Sequence, residues 1–171
     1  YAGPATARIR KILKLRGIGE PVDIVVTRDL NGFKEAMPRI GRRGRDLQLG
    51  DWVAGIAFSH DRLVIIRLGH FPAREIRSTL IHELAHVYVS EAASYARIPR
   101  WFNEATAMIL SDENTIQHLE SVLTTKSANA MPELEDLEWG FTAHGGTVSQ
   151  SYAASFAFLR WAVETRGGMH L

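Results

Sequence analysis

The sequence predicts an α+β fold: a small N-terminal mixed sheet with a β-hairpin at its edge, followed by a mainly helical half. Three observations carry this expectation. The β-branched, strand-like runs at 21–27, 52–58 and 62–68 all fall within the first 70 residues. From Pro72 onward the apolar residues recur at helical spacing instead. Strands first and helices after is the order of the α+β class. With 171 residues, 46% of them hydrophobic, residues 1–171 suffice for a single domain with a genuine core and leave little room for a second.

Each element has its own local reason. ATARIRKILKLRG (5–17) places Ile9, Ile12 and Leu13 on one helical face, extends it through Leu15, and reaches a glycine at 17. PVDIVVT (21–27) is β-branched and reads as a strand. DLNGFKEAMP opens on a capping aspartate and predicts a short helix stopped by Pro38. WVAGIAF (52–58) and RLVIIRL (62–68), separated by Ser59-His60-Asp61, form a hairpin whose turn lacks the usual glycine. PAREIRSTLIHELAHVYVSEAA has no Gly and no Pro after position 72, and spaces Ile76, Leu80, Leu84 and Val87 for a helix over 73–93. RIPRWFNEATAMILSD restarts as a helix after Pro99, and ENTIQHLESVLTT (113–125) gives another. A looser stretch with Pro132, Gly140, Gly145 and Gly146 follows. VSQSYAASFAFLRWAVETRGG is a last apolar helix stopped by Gly167-Gly168.

Composition narrows the function classes. Charged residues make up 23% and the formal net charge is +1, which gives no electrostatic reason to expect nucleic acid as a partner. The one basic cluster, Arg39, Arg42, Arg43 and Arg45, sits among glycines and reads as a solvated loop. There are no cysteines, so any metal is held by His, Asp or Glu. No apolar run approaches the length of a membrane span, and LVIIRL (63–68) is far too short. Opening on Tyr1 and stopping at GGMHL, the chain reads as a piece of a longer protein. Further domains in the parent and a secreted or extracytoplasmic location are the corresponding expectations.

One polar pentapeptide interrupts the apolar helix: His82-Glu83-Leu84-Ala85-His86. Four residues advance about 400° around an α-helix, so the two imidazoles share a face about 6 Å apart along the axis. Both can reach one ion at about 2.0–2.1 Å. Glu83 flanks that ion outside the direction of the imidazoles, where it can hold and deprotonate a water. His-Glu-x-x-His arises by chance in roughly 2% of shuffles of a chain of this composition, so the setting has to decide. Ile81, Leu84, Ala85, Val87 and Val89 surround the polar residues, and a helix that apolar buries them, which requires partners. Two histidines satisfied by ordinary hydrogen bonds are the bland alternative, and they leave Glu83 to be explained. A catalytic zinc needs a third protein ligand. Glu91, Glu104, Asp112, Glu113 and His118 are available. Glu91 would have to fold back along the same helix, whereas Glu104 lies on the next one, beyond a turn with Pro99. His60, His70, His118 and His170 have no helical partner at ligand spacing and read as incidental.

HELAH followed, after seventeen residues, by the glutamate of Trp101-Phe102-Asn103-Glu104-Ala105-Thr106-Ala107 resembles the gluzincin metallopeptidases of the peptidase MA clan. The second segment looks like the W-L-N-E-G-x-A signature of their aminopeptidase branch, and its Asn-Glu-Ala core matches the thermolysin-like branch. The likeness covers about 76–108, and more weakly the preceding hairpin and the final Tyr152-x-x-Ser155 helix. It implies a zincin-like fold, one Zn2+ on His82, His86 and Glu104, Glu83 as general base, and a peptide or protein as substrate. It also implies a tyrosine or histidine at the oxyanion, for which Tyr152 is favoured over His144 and Tyr95. In these folds an edge strand beside the metal helix pairs with extended substrate, and WVAGIAF is the better candidate. Two departures matter. Met108 stands where thermolysin-like enzymes carry an aspartate that orients a metal histidine. AGIAFSHD lacks the glutamate of the aminopeptidases' G-x-M-E-N segment, which favours internal cleavage over removal of N-terminal residues. A zincin-like binding domain that holds zinc without physiological peptidase activity is the alternative.

Overall fold

The computed structural model describes residues 2–17, 19–37, 53–69, 71–111, 137 and 146–165. The predicted helix at 113–125, the basic loop with Arg39 to Arg45, and His70, His118, His144 and His170 lie outside the described residues. The elements are α1 (Ala2–Ile12), β1 (Asp23–Thr27), α2 (Leu30–Ala36), β2 (Gly55–Phe58), β3 (Leu63–Arg67), α3 (Ala73–Ala92), α4 (Arg100–Ser111) and α5 (Gly146–Thr165). The order is α+β as predicted: a small three-stranded sheet, then helices. The chain divides into two compact units, Tyr1–Tyr95 and Ala96–Leu171.

In the first unit the sheet has the order β1-β3-β2. β1 lies parallel to β3, with Val25 opposite Ile65. β2 lies antiparallel to β3, with Ile56 opposite Ile65 and Gly55 opposite Ile66. The sheet is therefore mixed, and β2 forms an edge among the described residues. Pleating divides its side chains between two layers. Val25, Ile56, Phe58, Leu63 and Ile65 pack with Phe33, Ala36 and Met37 on and just after α2. The opposite face carries Gly55, Ala57, Val64 and Ile66 and meets α3, which packs on β2 and β3. β3, covered on both sides, is buried at Val64, Ile65 and Ile66. On β1 the same face leaves Val26 58% exposed, because the helix sits over the other two strands. α1 packs on α3 and buries Ile9, with Leu13 buried just after its end.

Three terminations differ from the simplest sequence reading. α1 ends at Ile12, five residues before the glycine expected to stop it. Lys14 turns left-handed at φ +53°, and the Leu15 and Lys14 amides return to the Arg10 and Lys11 carbonyls, a Schellman closure that a lysine completes. α3 closes the same way at Ser94 and Tyr95, with φ +52° and +58°. Their amides bond the carbonyls of Glu91 and Ser90. The hairpin turn is a single 3₁₀ turn over Ser59–Asp61, and Arg62 takes the left-handed position at its end. A non-glycine residue there costs of order 1 kcal/mol. The Arg62 guanidinium offsets that with bonds to Glu91 Oε2 (3.0 Å), Tyr95 OH (3.2 Å) and the carbonyl of Pro21 (3.2 Å). The Asp29 cap of α2 forms as predicted, accepting from the Gly32 amide at 2.9 Å.

In the second unit α4 packs against α5. α4 buries Ala105, Thr106, Ala107, Met108 and Leu110, and α5 buries Ala153, Ala154, Phe156 and Leu159. Trp101 meets Phe158 edge-on at 5.5 Å.

Candidate metal centre

α3 carries the whole pentapeptide in its middle, with Leu84 and Ala85 inside it and Val87 and Val89 just after it all buried. Uninterrupted helix from Ala73 to Ala92 is what lets two residues four apart share one face. The His82 and His86 rings lie 4.7 Å apart between centroids and nearly perpendicular, at 81°. Glu83 and His86 are each only 9% exposed. Glu104 stands in the second turn of α4, and the Arg100 guanidinium one turn earlier lies 3.8 Å from its Oε1. Among the described residues, His82, His86 and Glu104 are the group whose ligand atoms could hold a metal ion, one atom from each lying within 4.8 Å of the others.

This donor set fits zinc chemically. Two imidazoles and one carboxylate form a three-ligand set of the kind catalytic zinc uses, with a fourth position left for water or substrate.

Glu83 has a second neighbour that spacing along the helix does not reveal. Its side chain packs on the backbone of the edge strand at Gly55: a Cβ placed there would stand 2.8 Å from Glu83 Cγ and 3.1 Å from its Oε1. Four residues further on, the Ser59 hydroxyl donates to the His86 carbonyl at 3.2 Å. The hairpin thus touches α3 at the proposed base and again beside the second imidazole.

The remaining candidates are placed as follows. Glu91 is engaged away from any metal: Oε1 accepts from Arg10 Nη1 and Oε2 from Arg62 Nη1, both at 3.0 Å. Burial raises its carboxyl, but the hydrogen bonds and charge of Arg62 and Arg10 outweigh that and hold it below its ordinary value of 4.5. Tyr95 belongs to the same cluster, accepting from Arg62 and stacking on His60 at 5.4 Å. It lies beyond the end of α3 at Ala92, in the left-handed turn that closes the helix. Tyr152 is half-buried on α5. Met108, in the place of the thermolysin-like aspartate, is 1% exposed among apolar neighbours of α4. Sequence reasoning missed Gly55. Its only signal was a glycine inside an otherwise β-branched run.

A family model described as the peptidase MA superfamily matches residues 12–171. No curated protein and no solved structure matches the chain. No described helix is long and apolar enough to cross a membrane.

Proposed function

The chain belongs to the peptidase MA superfamily, and from that premise we propose that it is a zinc-dependent metallopeptidase. Residues 1–171 form its minimal peptidase domain, and extended peptide or protein is cleaved internally. The observation that carries this reading is the grouping of His82, His86 and Glu104, with Glu83 between the two imidazoles on the same helix and against the edge strand. His82, His86 and Glu104 hold the ion. Bound there, zinc polarises the scissile carbonyl and lowers the pKa of water toward neutrality.

The chain's own residues supply the rest. A carboxylate oxygen of Glu83 takes a proton from the attacking water and delivers it to the leaving amine nitrogen. Burial of that side chain shields it from bulk water, where proton transfer would be less directed. The outer edge of β2 offers unpaired backbone groups to an extended peptide, and the contact at Gly55 sets that edge beside the base. Tyr152 donates its phenolic proton to the developing oxyanion. The strand has Gly55, Ile56, Ala57 and Phe58 and no carboxylate to grip a free amine, which supports internal cleavage.

Glu83→Gln separates the base from the metal. We expect this variant to keep stoichiometric zinc by elemental analysis and to lose hydrolysis across a broad peptide panel. Retained turnover would remove Glu83 from the mechanism. The buried Met108 favours one competing reading, a domain that binds zinc without physiological hydrolysis. Wild-type protein that cleaves no peptide with added zinc, and shows no chelator-sensitive activity, would establish it.

A further inference from the structure

We propose that Gly55 is a positioning residue for Glu83: only a residue without a side chain lets the base lie against the edge strand at its working height. This rests on the reading of Glu83 as base. Gly55 does not owe its identity to backbone conformation, because the described glycines with positive φ are Gly17, Gly19 and Gly69. A glycine in an ordinary strand position destabilises by about 0.5–1 kcal/mol relative to alanine, so space is the reason to look for. The three atoms nearest a Cβ at 55 are Thr79 Cγ2 at 2.7 Å, Glu83 Cγ at 2.8 Å and Glu83 Oε1 at 3.1 Å. Two residues on, the same face of β2 carries Ala57. The strand is bare just where Glu83 passes.

Neither neighbour yields without consequence. Thr79 is β-branched and held to few rotamers. Glu83 Cγ lies close to the helix, so moving it requires a change in χ1 or χ2, which swings the carboxylate much further than the carbon that is pushed. The strand itself is tied to α3 by the hydroxyl of Ser59 on the His86 carbonyl, so it does not simply lift away. Neither His82 nor His86 supplies any of the three atoms nearest a Cβ at 55. A side chain at 55 therefore displaces the base and spares the metal ligands.

The test uses Gly55→Ala, Gly55→Ala with Thr79→Ala, and a stability cycle with Glu83→Ala, all in the full chain. For Gly55→Ala we expect kcat per bound zinc to fall about 100-fold, the scale of a misplacement near 1 Å. KM and zinc affinity should stay within about three-fold of wild type, since differential loss marks a transition-state interaction. Removing Thr79 Cγ2 relieves the tighter contact and recovers only part of the melting midpoint, since the Glu83 contact remains, and it leaves Glu83 displaced and kcat low. In the cycle, run with Thr79→Ala throughout so that the threonine contact is absent, Gly55→Ala lowers the midpoint when Glu83 is present and much less when it is alanine, a coupling expected only of side chains in contact. Additive midpoints, or a Gly55→Ala/Thr79→Ala variant with wild-type kcat, would overturn the proposal. Wild-type protein that cleaves nothing would instead refute the peptidase reading, and the cycle would still report whether residue 55 sets Glu83.

Discussion

Removing Glu91 should cost the first unit a large part of its stability without touching the metal ligands. The carboxylate accepts from two guanidinium groups at 3.0 Å each. The partners are nearly buried: Arg10 and Arg62 side chains are 10% and 11% exposed, and Glu91 is 21% exposed. Both guanidiniums also lie over the Tyr88 ring, at 5.5 and 5.8 Å. Stranding a charge by deleting its buried partner costs about 3–5 kcal/mol. Arg10 keeps the carbonyls of Arg16 and Gly17, and Arg62 keeps those of Pro21 and Glu20, which argues for the lower end. We expect Glu91→Ala to lose about 3 kcal/mol, and Glu91→Gln, which retains one acceptor, about 2 kcal/mol. In urea, with a slope near 2 kcal/mol/M, the alanine variant's midpoint falls by about 1.5 M. The pH dependence follows in sign. The carboxyl is held below 4.5 in the fold, so its contribution is complete above that value and is lost as pH falls through the lowered folded pKa. Both variants should show a shallower loss of stability on acidification than wild type. A midpoint shift below about 0.5 M, or an unchanged acid limb, would refute the argument.

Three further outcomes are expected. If Glu104 is the third ligand, as proposed, Glu104→Ala should weaken zinc binding by two or more orders of magnitude in a competitive chelator titration; full occupancy at equal zinc would move the third ligand elsewhere. Tyr152→Phe should lower kcat 10- to 1000-fold with little change in KM, the range seen when one oxyanion donor is lost. Equal kinetics would return Tyr152 to the packing of α5. Gly19→Ala should destabilise by about 1–3 kcal/mol in denaturant unfolding, since φ is +70° and the new Cβ would stand 2.4 Å from Arg10 Nη1. A neutral result would show that the loop repacks freely around Arg10.

What was legible in the sequence is what repeats at short range. The period of Ile76, Leu80, Leu84 and Val87 placed α3 to within a residue of its observed span. The same period set His82 and His86 on one face, and Pro99 gave the start of α4 and with it the position of Glu104. WVAGIAF read as the edge because RLVIIRL is more continuously apolar, and among the described residues β2 is an edge and β3 is central. The terminations were not legible. Lys14, Arg62, Ser94 and Tyr95 occupy left-handed positions where glycine is the usual signal. Around Arg62 the compensation comes from residues up to 42 positions away, such as the Glu20 carbonyl. Likewise the pairing of Arg10 with Glu91 spans 81 positions, and no local pattern announces it. Gly55 is the instructive miss. By propensity it is a weak point in a strand, and only the approach of Glu83 from another element gives the position a purpose.

The same contrast explains how α3 can tolerate its polar centre. Burying Glu83 and His86 to 9% exposure removes water from groups that prefer it, a cost that apolar residues in their place would not carry. The helix meets this within the pentapeptide and on its C-terminal side. Leu84, Ala85, Val87 and Val89 are buried, and the C-terminal turn is fixed through Glu91 by Arg10 and Arg62. The anchoring charges sit more than a turn beyond His86, so they rigidify the backbone that carries the imidazoles without competing for the ion. Separation of the anchor from the two imidazoles is what the metal-binding role proposed for them requires of α3. Holding side chains near their working geometry before the ion arrives demands a stiff helix, and the polar groups that make the site are the ones least able to stiffen it themselves.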